Sequence, residues 1–112
     1  MKKDDLFELI NNCLDEKEKL LNDLEEECII LMNFKSHLEN KRNSVYLRTN
    51  FKERGLTNQG LQKSYVDDKC EDFNKIVEKQ KIKIKTMENR IKFLSEKIRT
   101  VIELNKLILE VK

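Results

Sequence analysis

The chain has 112 residues, 39% of them charged and 38% hydrophobic, with two glycines, no proline and no tryptophan. Sheet sandwiches, barrels and doubly wound folds draw on glycine and proline for about a tenth of their residues, so this composition excludes them and leaves long helices in a single domain. The 23 Lys and Arg against 21 Asp and Glu give a net charge of +2, too near zero for a global attraction to nucleic acid or membrane.

Asp5, followed three residues later by Glu8, has the spacing of a capping box and marks the start of a first helix. From there positions alternately four and three apart read Leu6, Ile10, Cys13, Lys17, Leu20, Leu24, Glu27, Leu31, Phe34, Leu38, Lys41 and Val45, nine of the twelve apolar. Arg48, Lys52 and Arg54 put positive charge at the end of this helix, and Gly55 follows as a left-handed C-terminal cap. The first helix is therefore expected over about residues 5–54. Thr57, Asn58 or Ser64 can cap a second helix over about 58–112, with Asp67, Asp68, Glu71 and Asp72 in its early turns. Its seam reads Val66, Cys70, Phe73, Val77, Gln80, Ile84, Met87, Ile91, Leu94, Ile98, Val101, Asn105 and Ile108, eleven of thirteen apolar.

Two such helices predict an all-α, long antiparallel helical hairpin of coiled-coil type, with its tip near residues 55–60 and both glycines, Gly55 and Gly60, in the turn. Residues whose numbers sum to about 115 then face each other. The charge pattern supports this pairing. Residues 1–32 hold four basic and ten acidic side chains, a net of −6, whereas 75–112 hold eleven and five, a net of +6. A parallel dimer through the second helix is the alternative, with Ile84, Ile91 and Ile98 on one seam position, Met87 and Leu94 on the other, and Asn105 fixing the register. A bend near Asn33 or Asn43, giving a three-helix bundle, is another.

The apolar surface exceeds what one partner helix covers. Phe7, Leu14, Leu21 and Cys28 form a second row beside the main seam, and Leu9 and Ile30 flank its other side. Around Cys28 to Phe34, including Met32, and again around Leu104, Leu107, Ile108, Leu109 and Val111, the helices are apolar almost all round. Phe7, Leu14, Leu21, Ile30, Met32, Leu104 and Leu109 are accordingly the expected docking residues for further helices, from a helical protein or a second copy of the chain.

Chemistry-bearing motifs are scarce. His37 has no Cys or carboxylate set at metal spacing, Cys13, Cys28 and Cys70 form no CxxC pair, and no phosphate loop or nucleophile elbow occurs. Cys13 and Cys70 fall on the seams, where a thiol behaves as a small hydrophobe. No enzyme activity, cofactor, metal or small-molecule ligand is expected. Unpaired cysteines, the absence of an apolar signal core and a longest apolar run of Cys28 to Met32 point to a cytoplasmic protein without membrane insertion, or one exported without a cleaved signal. A basic tip of Arg48, Lys52 and Arg54, with Lys41, Arg42, Lys63 and the rings of Tyr46, Phe51 and Tyr65, offers phosphate and base contacts, but such lysines and arginines more often serve solubility and pairing.

The segment Gly55-Leu56-Thr57-Asn58-Gln59-Gly60-Leu61-Gln62-Lys63-Ser64-Tyr65, leading into a long helix, resembles the hinge of the small helical hairpins of the WXG-type superfamily, which include accessory or targeting partners of LXG toxins in type VII secretion. The family's tryptophan is absent, with Leu56 or Phe51 the nearest apolar residue, and Lys69 stands where the YxxxD/E pattern from Tyr65 has its acid. The resemblance implies a non-enzymatic adaptor or chaperone that docks its helices on the helical N-terminal domain of a toxin. From the residues themselves, the alternatives are a self-assembling structural coiled-coil subunit and a nucleic-acid-associated factor using the basic tip.

Overall fold

A computed structural model describes residues 3–111 as three helices: α1 (Lys3–Arg48), α2 (Gln59–Lys69) and α3 (Glu71–Val111). α1 runs unbroken through Asn33 and Asn43, so neither asparagine opens a third arm. The chain divides into two compact units. Unit 1 joins residues up to Glu27 with those from Lys83 on, and unit 2 is Cys28–Ile82.

In each unit α1 pairs antiparallel with the returning arm. Unit 1 is crossed by Arg90 Nη2 to Glu16 Oε1 at 2.8 Å and Lys83 Nζ to Glu27 Oε1 at 2.8 Å, and unit 2 by Arg42 Nη1 to Asp67 Oδ1 at 3.1 Å. The numbers of these partners sum to between 106 and 110, so the expected register near 115 is corrected by about one and a half to two and a half helical turns. The cause lies in where α1 stops. It ends at Arg48, six residues before Arg54, and α2 begins at Gln59, which centres the reversal near residues 53–54.

Gly55 does cap a helical turn, but not α1. Thr49 Oγ1 donates to the Val45 carbonyl at 2.6 Å, and Asn50 Oδ1 accepts from the Glu53 N–H at 3.2 Å, starting a separate turn. That turn closes with the Leu56 N–H on Phe51 O and the Gly55 N–H on Lys52 O, a Schellman pair that places Gly55 at φ +69°. Asn58 then caps α2, its Oδ1 accepting from the Leu61 N–H at 2.8 Å. Gly60 sits within the first turn of α2 at an ordinary φ, so only Gly55 uses the glycine-specific conformation among the described residues. At the other end α1 already includes Lys3, so Asp5 lies in its first turn and is not the cap.

The returning arm also departs from one continuous helix. Cys70 leaves helical geometry at φ −105°, ψ 12°, without glycine or proline nearby. Hydrogen bonds nevertheless cross the break, from the Cys70 N–H to Val66 O and from the Asn74 N–H to Cys70 O. Val66 and Cys70 are wholly buried at this point.

All thirteen seam positions from Val66 to Ile108 are buried or half-buried, as are all of those on α1 except Lys41. Burying each Leu or Val of this seam contributes about 1.5–3 kcal/mol, which makes the seam the main source of stability.

Candidate docking surface

Unit 1 has two sides along its seam, and the antiparallel pairing decides which residues share each. Residues preceding seam positions meet on one side, as Glu16 and Arg90 do. Residues following seam positions meet on the other, and the equivalent pair in unit 2 is Arg42 with Asp67. By the same rule and in the register of that pair, Phe7, Leu14 and Leu21 on α1, each following a seam residue, lie beside Ile102, Ser95 and the exposed Glu88 on α3, with Leu109 one heptad beyond Ile102.

The five apolar side chains of this flank, Phe7, Leu14, Leu21, Ile102 and Leu109, are each between 40% and 49% exposed. Ser95 adds no unmet donor, because its hydroxyl donates to the Ile91 carbonyl at 3.0 Å. Seam burial is skewed in the same direction. Leu6, Cys13, Leu94 and Val101, which lean toward the ion-paired side, are exposed by 5% or less. Ile10, Leu24, Ile91 and Ile98, which neighbour the apolar flank at spacings of three and four, stay half-buried; Ile84 on that side is buried, and Leu20, Met87 and Ile108 on the other are half-buried, so the skew lies in the best-buried residues. Asn105, between Ile102 and Leu109, keeps a buried Oδ1 without a hydrogen-bond partner among the described residues.

The seven expected docking residues therefore do not form one site. Phe7, Leu14, Leu21 and Leu109 lie on one flank, and Ile102, beside Phe7 and seven residues before Leu109, joins the row. Leu104 belongs to the opposite flank of unit 1. Ile30 and Met32 belong to unit 2, where Met32 points outward at 70% exposure.

At the basic tip the aromatic rings contact one another and a cation. Phe51 packs between Tyr46, tilted at 60°, and Tyr65, edge-to-face at 88°, at ring-centroid distances of 5.8 and 6.2 Å, and Arg54 lies 5.1 Å over the Tyr65 ring. The rings and Arg54 thus form a small aromatic cluster at the turn in which Phe51 and Tyr65 are half-buried, while Tyr46, Arg54, Arg48 and Lys52 are exposed. Gln62 Nε2 ties α2 to the turn through the Leu56 carbonyl at 3.0 Å.

Among the described residues no group of three or more His, Cys, Asp or Glu gathers as a metal set, and His37 is exposed. Cys13 and Cys70 are buried free thiols and Cys28 is an exposed one. Ile76, Lys79 and Ile82 line a shallow depression whose walls all come from α3, and one helix cannot enclose a small molecule. No helix of the described residues is long and apolar enough to cross a membrane. No protein family, curated protein or solved structure matches the chain.

Proposed function

We propose that the chain is a non-enzymatic helical adaptor that docks further helices on the apolar flank of unit 1. The carrying observation is the open row of Phe7, Leu14, Leu21, Ile102 and Leu109, beside which Ile10, Leu24, Ile91 and Ile98 of the seam stay half-buried. Water contact on a row of this length is unfavourable, and a helix laid along it gives the side chains the cover that the ion-paired side of the hairpin already has. The likeness of residues 55–65 to the secretion hairpins makes the helical N-terminal domain of a toxin one candidate partner. A second reading, a self-assembling coiled-coil subunit, is favoured by charges of opposite sign along the two edges of the flank.

Co-expression of the chain with the products of neighbouring genes, followed by co-purification, tests the adaptor reading. A helical partner is expected to be retained by the wild type and lost with Leu14→Glu plus Leu21→Glu. A well-folded wild-type monomer that exposes no dye-binding apolar surface sinks the reading.

A further inference from the structure

We propose that the apolar flank of unit 1 is the interface of a two-fold symmetric dimer of this chain, in which α1 of each copy lies over α3 of the other to complete a four-helix bundle. The inference rests on the flank being a helix-docking surface and names its occupant.

Size is the first argument. The α1 segment of unit 1 is about 35 Å long at 1.5 Å per residue, and two helices 8–10 Å apart make a face about 20 Å wide. That is roughly 700 Å² per copy, close to the ~800 Å² per partner of a standard stable interface.

Charge is the second argument, and it selects the chain itself. Along the outer edge of the flank on α1 stand Asp4, Asn11, Glu18 and Glu25, seven residues apart and all exposed. Along the outer edge on α3 stand Lys85, Lys92, Arg99 and Lys106, also seven apart and exposed. Among the described residues only Lys106 of these charges is ion-paired, with Glu103 of its own helix at 3.5 Å. One edge is acidic and the other basic.

Two face-to-face arrangements have two-fold symmetry. With the axis parallel to the helices, the acidic edge of each copy covers the basic edge of the other. The register of the ion pairs within the chain, with sums of 106 to 110, then sets Asp4 against Lys106, Glu18 against Lys92, Glu25 against Lys85 and Asn11 against Arg99 of the second copy. With the axis across the helices, acid covers acid and base covers base. Opposite charges at the rim of an apolar interface favour one docking geometry over another, so the first arrangement is the dimer. Only a chain carrying both edges in this order is complementary to itself.

Sedimentation equilibrium on the full chain tests this. The wild type is expected to be a dimer, and Leu14→Glu plus Leu21→Glu to weaken it roughly a hundredfold or more with helix content unchanged by circular dichroism. The pairs Glu18→Lys with Glu25→Lys, and Lys85→Glu with Lys92→Glu, should each weaken self-association about tenfold, while an equimolar mixture of the two variants recovers it as a heterodimer. Spin labels on the exposed Cys28 should lie within about 20 Å of each other across the bundle, against about 40 Å if the copies ran in opposite directions. A wild type that is monomeric at every concentration, a mixture that fails to recover, or the longer label separation overturns the dimer. If the chain is monomeric yet loses a helical partner from a neighbouring gene on Leu14→Glu plus Leu21→Glu, the docking reading survives and the second copy is the wrong occupant. If those substitutions change neither self-association nor partner binding, both inferences fall.

Discussion

The two flanks of unit 1 run along the same seam, on the same helices and over the same turns, yet they meet solvent in opposite ways. On one, Glu16 and Glu27 reach across to Arg90 and Lys83. On the other stand Phe7, Leu14, Leu21, Ile102 and Leu109, about half exposed, with Ser95 and Glu88 in the same row. The Glu16–Arg90 stretch of the ion-paired flank is complete in water, because a carboxylate and a guanidinium lose little by remaining hydrated and partly screened, although Leu104 on the same flank stays 46% exposed. The apolar flank is incomplete, because about half of each side chain keeps the water contact that folding removes elsewhere. The seam registers this difference, with its best-buried residues leaning toward the closed side.

The largest effect expected on this comparison is at the seam that both flanks share. Leu94, 1% exposed, fills space between the helices, and Leu94→Ala should cost about 2–5 kcal/mol through lost burial and the cavity left behind. Urea denaturation followed by circular dichroism measures it, and the loss should appear at every protein concentration. A change under about 1 kcal/mol would mean that the seam is not packed as described.

Leu14→Ala should behave differently although the residue is equally apolar. With its side chain half exposed in the single chain, the substitution should cost under about 1 kcal/mol in dilute solution. As concentration rises and the flank is covered, the cost should grow toward about 1.5–3 kcal/mol, because binding to the native state adds stability that the variant loses. Denaturation midpoints measured across a hundredfold range of concentration separate the two substitutions: parallel curves for both would show that nothing covers the flank.

Much of this architecture is legible in the sequence, because a seam of apolar residues at alternating spacings of three and four survives without knowledge of its partner. Leu6, Cys13, Leu94 and Val101 were on that seam from the start. The register was not legible to better than about two turns, since it depends on where α1 ends. Gly55 has the signature of a helix cap, but α1 already ends at Arg48, and Asn50, whose Oδ1 accepts from the Glu53 N–H, starts a separate turn before it, which shifts the pairing. The interruption at Cys70 carries no glycine or proline to announce it. For the docking surface, the row of Phe7, Leu14 and Leu21 shows in the spacing, whereas its union with Ile102 and Leu109 needs the antiparallel sides of both helices. The basic edge is hard to see in the sequence for a related reason: Lys79, Lys81, Lys83 and Lys85 crowd together in sequence and scatter around the helix, while Lys85, Lys92, Arg99 and Lys106 are spread along the sequence and aligned in space.

The smallest expected effect lies on the ion-paired flank and sharpens the contrast most. Arg90 and Glu16 are 47% and 44% exposed, so a double-mutant cycle using Glu16→Ala and Arg90→Ala should give a coupling of about 0.2–1 kcal/mol. Glu27 is only 16% exposed beside Lys83, and less solvent reaches that pair, so its coupling should be the larger of the two. Raising the salt from 0.1 M to 1 M shortens the screening length from about 10 Å to about 3 Å and should erase the Glu16–Arg90 coupling first. The apolar flank should respond in the opposite sense to sulfate, which strengthens burial of apolar surface, so association should tighten under conditions that weaken the ion pairs. A Glu16–Arg90 coupling that exceeds that of Glu27–Lys83, or that survives high salt, would show that the ion-paired flank is also covered in solution and that the two sides of unit 1 are not open and closed as their exposures imply.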